Sequence, residues 1–141
     1  MLKYVGVWMM TLCVVRLNVD GNTDFCAVTK PGDMEPWWML DLRGYFQVHD
    51  VIITNCGYDN WWKYLHSFTI DVFTENPIGC VRATPVQCYN RTDTLRRGVT
   101  VQFKCRSPVI GRFVRVKKWN VLNQSEILIL SEVQVLGTKA T

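Results

Sequence analysis

No Cys-x-x-Cys occurs in this sequence, and its two histidines, His49 and His66, are not spaced with any cysteine as zinc ligands are. There is no nucleophile elbow, no metal-binding dyad and no glycine-rich phosphate loop. These absences remove the usual supports for catalysis, and the expectation is that the chain is not an enzyme. The longest apolar run, Val5 to Val15, is too short to span a bilayer, which takes about 20 residues. No stretch has convincing helical periodicity, and there is no internal repeat or low-complexity segment. Charge is sparse: 20% of residues, with a formal net charge of +4. No dense basic patch sits on a nucleic-acid-binding motif, so no nucleic-acid partner is expected, whereas a mild positive charge permits an anionic one.

What is present is apolar and aromatic. The 141 residues are 48% hydrophobic and 12% aromatic, enough for one domain with a sizeable core and too apolar for a disordered chain. Six cysteines (Cys13, Cys26, Cys56, Cys80, Cys88, Cys105) are many for this length and point to disulfides in an oxidising compartment. Two acceptor tripeptides for N-glycosylation, Asn90-Arg91-Thr92 and Asn123-Gln124-Ser125, fit a secreted, extracellular chain. Residues 1–16, with an early Lys3, an apolar stretch and then Arg16, read as a signal peptide. The competing reading is a buried first strand.

The chain centres on Pro36-Trp37-Trp38-Met39-Leu40-Asp41-Leu42, followed by a turn at Arg43-Gly44 and an alternating stretch from Tyr45 to Asn55. Paired tryptophans opening a strand anchor a core, and an Asp between two Leu needs a partner if buried. The spacing predicts a β-hairpin here. Asp20-Gly21-Asn22 is a turn that also offers oxygen ligands to a hard cation. Cys56 to Leu65 reads as a loop, yet it carries Trp61, Trp62 and Tyr64 beside Lys63. Phe68 to Phe73 alternates as a half-buried strand, and Ile78 to Gly98 is long and irregular. Val99 to Cys105 and Gly111 to Trp119 read as further strands, separated by a turn at Arg106-Ser107-Pro108. In the second, Val114 and Val116 face one way and Arg115 and Lys117 the other, toward a solvated face or a guarded edge. Ile127 to Leu130 and Val133 to Leu136 close the chain. Short strands joined by Gly, Pro and Asn turns predict an all-β fold, an antiparallel jelly-roll β-sandwich.

In order, Asp20-Gly21-Asn22, Pro36 to Leu42, Val51-Ile52-Ile53-Thr54-Asn55, Asn76-Pro77, Gly111-Arg112-Phe113-Val114 and Ser131 to Gly137 form a set. With these motifs the chain resembles the F-type lectin (fucolectin) family of discoidin-like β-sandwiches, over residues 17–137, with 138–141 as a tail. The resemblance implies a non-catalytic carbohydrate-binding module, a structural calcium and a sugar site on loops at one end. Its calcium ligands would be Asp20, Asn22 and Glu132, and it implies a disulfide between Cys88 and Cys105. Cys26, whose usual partner position holds Ser131, is left free or paired with Cys56 or Cys80.

In that family a histidine and two arginines hold fucose, with an adjacent cysteine pair packed on the sugar. At the matching positions this sequence has Val28, Cys56 and Tyr64, and the cysteine pair near Asp59-Asn60 is absent. Lys63 beside Tyr64 offers a point charge instead of a planar fork of donors. The expectation is altered or lost fucose specificity, with Trp61, Trp62, Lys63 and Tyr64 as the ligand-binding candidates for a glycan or glycoconjugate. The alternative is a discoidin-like module that meets an anionic membrane surface or a protein through Trp61-Trp62-Lys63, aided by Arg96-Arg97.

Overall fold

Two very long strands carry the molecule. In the computed structural model, which describes residues 2–5 (backbone) and 26–140, β3 runs Trp37–Thr54 and β6 runs Thr100–Lys118. They pair antiparallel along nearly their whole length, from Trp37 opposite Lys117 to Thr54 opposite Thr100. The other strands are β1 (Leu2–Val5), β2 (Ala27–Val28), β4 (Phe68–Phe73), β5 (Val86–Arg91), β7 (Ile129–Leu130) and β8 (Glu132–Lys139). One six-stranded sheet has the order β1-β8-β3-β6-β4-β5, and β2 pairs with β7 in a second sheet. Among the described residues all pairings are antiparallel, and the architecture is an antiparallel β-sandwich. β8 continues to Lys139, two residues into the segment read as a tail, because Thr138 and Lys139 pair with Gln47 and Phe46.

The hairpin expected at Arg43-Gly44 does not form. Asp41 faces Phe113 and Phe46 faces Gly111, so residues 42–45 bulge opposite Arg112 while β3 keeps its direction. Arg43 takes the left-handed conformation (φ 61°), and its N–H donates to Asp41 Oδ1 at 2.8 Å. That local turn absorbs the extra residues as a bulge and does not reverse the chain. The turn expected at Arg106-Ser107-Pro108 is likewise a bulge inside β6: Val48 faces Val109 and Asp50 faces Lys104. A bulge is one of the few sheet positions that tolerates proline, whose nitrogen cannot donate.

Strand parity then explains the core. Trp38 and Leu40 stand opposite Val116 and Val114, which stand opposite Ile70 and Val72, giving an apolar row across three strands. These residues join Leu42, Val51, Ile53, Phe68, Phe103, Leu128, Leu130, Val133 and Val135 in one buried cluster. The opposite face is also covered at this end, by a smaller cluster of Met39, Phe73 and Phe113 with Trp37 and Ala83 against it. All of β4 is therefore buried, against the half-buried strand expected.

Asp41 projects to that second face, away from its Leu neighbours, where Arg112 grips it through Nε–Oδ1 (2.7 Å) and Nη2–Oδ2 (2.9 Å). The guanidinium holds the Asp41 carboxyl below the usual carboxylate range. Arg115 is not on a solvated face. It stands opposite Asp71 on β4, pairs with its Oδ2 at 3.0 Å and lies 4.8 Å over the Phe73 ring. β6 is interior, flanked by β3 and β4, so its basic residues guard no edge.

β5 was hidden in the stretch read as irregular. It is an edge strand whose only buried residue is Cys88, so it shows no apolar alternation. Cys88 is bonded to Cys105, and Cys26 to Cys56; Cys80 is a free thiol. Cys13 and the Asp20-Gly21-Asn22 turn lie outside the described residues, as do residues 6–16 of the N-terminal segment. The backbone of Leu2–Val5 pairs with β8.

Candidate functional site

The loops at one end of the sandwich are tied to one another by buried polar groups. Asn55, at the end of β3, is fully buried. Its Nδ2 donates to the carbonyls of Trp62 (2.9 Å), Leu95 (2.9 Å) and Arg96 (3.2 Å), and its Oδ1 accepts the Cys56 N–H (2.7 Å). One side chain thus fixes the loop after β3 and the loop before β6. The Cys26–Cys56 bond fastens the lead into β2 to the same place.

A second anchor comes from β6. Lys118 shares the parity of Val114 and Val116 and so points inward, with no exposed surface. Its Nζ donates to Glu126 Oε2 (2.9 Å), Tyr64 O (2.5 Å) and Ile127 O (3.2 Å), one acceptor for each ammonium proton. Burial pushes the Lys118 pKa down, and the Glu126 carboxylate opposes that shift. His66 Nε2 lies 3.8 Å from the other carboxylate oxygen of Glu126. Burial and the nearby Lys118 charge lower the His66 pKa, again opposed by Glu126.

Above this pair lies an open groove of about 250 Å³, lined by Pro31, Tyr64, Gln124, Ser125, Glu126 and Ile127. The Tyr64 ring is exposed, as are Gln124 and Ser125. An aromatic face beside neutral donors and acceptors suits a small polar ligand with an apolar side. The volume is below the roughly 300–1,000 Å³ of sites for drug-sized molecules.

The expected sugar-site positions separate here. Tyr64 lines the groove and closes the single-turn 3₁₀ helix Trp61–Tyr64. Trp61 is 39% exposed and packs edge-on against Tyr58 at 6.0 Å. Trp62 is half-buried and Lys63 exposed, and neither they nor Trp61 line the groove. Val28 is half-buried in β2 opposite Ile129. Cys56 is wholly buried in its disulfide. Glu132, on β8, accepts a hydrogen bond from Gln134 Nε2 at 2.9 Å.

Lys118, Glu126, Gln124 and Ser125 were not singled out from the sequence as site residues. Lys118 had a signal, since it continues the inward parity of Val114 and Val116. Gln124 and Ser125 read from the sequence only as part of a turn that carries a glycosylation acceptor, and Glu126 as the start of the closing segment.

Residues 18–116 match the NedA-like, galactose-binding domain family (F5/F8 type C). The chain belongs to this family. Among curated relatives, Fucolectin-6 of Anguilla japonica is 31% identical over 123 residues, covering 83% of this chain and 60% of the relative. The Pentraxin fusion protein of Xenopus laevis is 30% identical over 114 residues, covering 81% of this chain and 25% of that protein. The chain therefore spans about 60% of the fucolectin's length and a quarter of the pentraxin fusion's.

Solved structures place this family member in the fucolectin-like discoidin fold. The fucolectin from striped bass (Morone saxatilis) serum superposes with a TM-score of 0.72 at 22% identity, covering 99% of this chain and 46% of that one. A Streptococcus pneumoniae fucose binding module superposes at 0.62 and 24% identity, covering 84% and 78% of the two chains. Among the described residues, no helix is long and apolar enough to cross a membrane.

Proposed function

We propose that this protein is a non-catalytic, extracellular carbohydrate-binding module of the lectin type, with altered or lost fucose specificity. Its sugar contact is the groove beside Tyr64. Membership of a galactose-binding domain family and the likeness to fucolectins support the class of ligand. The observation that carries the altered specificity is the state of Cys56. It stands where the family resemblance calls for an arginine, yet it is fully buried and bonded to Cys26. It offers no donor to a sugar hydroxyl, and neither does Val28. A neutral sugar is then left with the Tyr64 face for its apolar side, and Gln124 and Ser125 for its hydroxyls.

Calcium belongs to this reading. Asp20, Asn22 and Glu132 would hold it, a set of hard oxygen donors that suits this ion. The Glu132 carboxylate is half-buried, and the Gln134 amide orients one of its oxygens while carboxylate lone pairs remain for a cation. The ion would tie the start of the domain to β8. Thermal unfolding with calcium and with a chelator tests it: the melting temperature is expected to be higher with calcium, and Glu132→Gln to lose that difference.

The main test is a glycan array probed with unglycosylated protein, wild type against Tyr64→Ala. Binding is expected to include glycans that lack fucose and to fall at least tenfold in Tyr64→Ala. Strict dependence on fucose, indifferent to Tyr64, overturns the reading. The exposure of Trp61 beside Lys63 favours a second reading, contact with an anionic membrane or a protein surface. Binding to anionic vesicles that disappears in Trp61→Ala, with a silent array, would establish that reading instead.

A further inference from the structure

The segment between β6 and β7 exposes several large apolar side chains close together in sequence. Trp119 is 38% exposed, Val121 59% and Leu122 54%, with Met34 (46%) alongside them. Asn120 bridges to that methionine, with its Nδ2 3.6 Å from Met34 Sδ. The tip is held in place. The Asn120 N–H donates to Glu35 Oε2 (3.1 Å), the Asn123 N–H donates to Asn120 Oδ1 (2.9 Å), and the Lys117 ammonium lies 4.4 Å over the Trp119 ring. The Trp119 Nε1–H is tied back to Thr69 Oγ1 (2.9 Å), so the exposed apolar surface is one side of that ring together with Val121, Leu122 and Met34, and contiguous apolar surface is uncommon on soluble monomers.

Asn123 follows this tip directly. It takes the left-handed conformation (φ 53°), which asparagine tolerates better than most residues. Asn123, Gln124 and Ser125 form the acceptor tripeptide, and all three are exposed. Gln124 and Ser125 also line the groove beside Tyr64.

We propose that Asn123 is an N-glycosylation site whose glycan covers the Trp119–Leu122 tip and stands at the mouth of the Tyr64 groove. The Asn123 Nδ2 forms a bond to C1 of the first sugar of an oligosaccharide carried on a lipid diphosphate. The bond from C1 to the diphosphate oxygen breaks, the lipid diphosphate leaves with the electron pair, and the amide gives up one proton. The attached glycan is bulky and hydrophilic, and it shields the four apolar side chains that precede or flank its root. Its effect on the groove rests on the carbohydrate-binding reading above: an attached glycan at the mouth competes with a free one. The other acceptor, Asn90, lies on edge strand β5 opposite Thr69 and lines no part of the groove.

The test uses the full chain secreted from a eukaryotic cell line. Glycopeptide mass spectrometry is expected to find Asn123 occupied. Enzymatic removal of the glycan from the folded protein is expected to raise the fluorescence of bound anilinonaphthalene sulfonate several-fold. Asn123→Gln is expected to match the deglycosylated protein, and Asn90→Gln to match the wild type. An unmodified Asn123 in the secreted protein overturns the proposal, and so does dye fluorescence that does not change on deglycosylation. Occupancy is read by mass, so a groove that binds no sugar would sink the proposed function and leave this result standing.

Discussion

Lys118 Nζ lies 2.9 Å from Glu126 Oε2, and the lysine side chain has no exposed surface. A buried ion pair adds little net stability over an apolar pair of the same shape, but removing one partner strands the other. Lys118→Met is therefore expected to cost about 3–5 kcal/mol, because the Glu126 carboxylate and the Tyr64 and Ile127 carbonyls lose their donor. Lys118→Met combined with Glu126→Leu is expected to be more stable than Lys118→Met alone. Urea unfolding of the wild type, both single variants and the double variant measures the coupling, and simple additivity would contradict it.

His66 gives a pH dependence of definite sign. Its folded-state pKa is lowered, first by burial and then by Lys118, with Glu126 opposing. The folded protein therefore binds its proton less readily than the unfolded chain. The stability this contributes is fully present above the unfolded pKa of about 6.5, and it is lost as pH falls through the lower folded value. Unfolding free energies measured from pH 7.5 down to 4.5 are expected to decline, and His66→Gln to flatten the upper part of that decline.

The two disulfides among the described residues close segments of 30 residues (Cys26–Cys56) and 17 residues (Cys88–Cys105). Replacing either pair by alanine is expected to cost about 3–4 kcal/mol by chain entropy, slightly more for the longer segment. Denaturant titration of the two double-alanine variants gives the comparison. Only the Cys26–Cys56 variant is expected to alter ligand binding, because that bond fastens the loops around the groove.

Glycine positions separate by what surrounds them. A Cβ at Gly137 would collide with the Gln47 carbonyl, and one at Gly111 with Val72 and the Phe73 carbonyl at 2.8 Å. Both neighbours belong to the paired sheet and have no room to retreat, so Gly137→Ala and Gly111→Ala are expected to cost more than about 3 kcal/mol each. Gly79 has nothing within 4 Å. Gly79→Ala is expected to be neutral or to stabilise by up to about 1 kcal/mol, through a less flexible unfolded chain. Melting temperatures should order the variants accordingly.

The fold was largely legible in the sequence because the apolar residues of β3, β6 and β8 alternate and their order follows the family's motifs. The path of the chain was less so. Arg43-Gly44 and Arg106-Ser107-Pro108 have turn composition, and the same composition serves a bulge, since both need a local break in pairing. Only the partner strand decides between them. β5 escaped notice because an edge strand with one inward residue, Cys88, leaves no period-2 pattern. In the candidate site, Tyr64 and the loss of basic residues at Val28 and Cys56 could be read from the sequence. Lys118 was hidden among Arg115 and Lys117, where charge drew attention away from parity. The groove itself depends on segments around Pro31, Tyr64 and Glu126 that are far apart in sequence and meet through buried hydrogen bonds, core packing and the Cys26–Cys56 disulfide.

Two of the three contacts that saturate Lys118 are main-chain carbonyls, and so are all three acceptors of the Asn55 amide. A carbonyl is common to every residue type. The framework therefore grips these loops without regard to which side chains they display. Side chains at positions 62, 64, 96 and 127 can be exchanged while the grip persists, whereas Leu95 is itself part of the core. Ligand choice and architectural integrity are written in separate parts of the same residues, and a library randomised at the loop side chains should return folded proteins with new binding preferences.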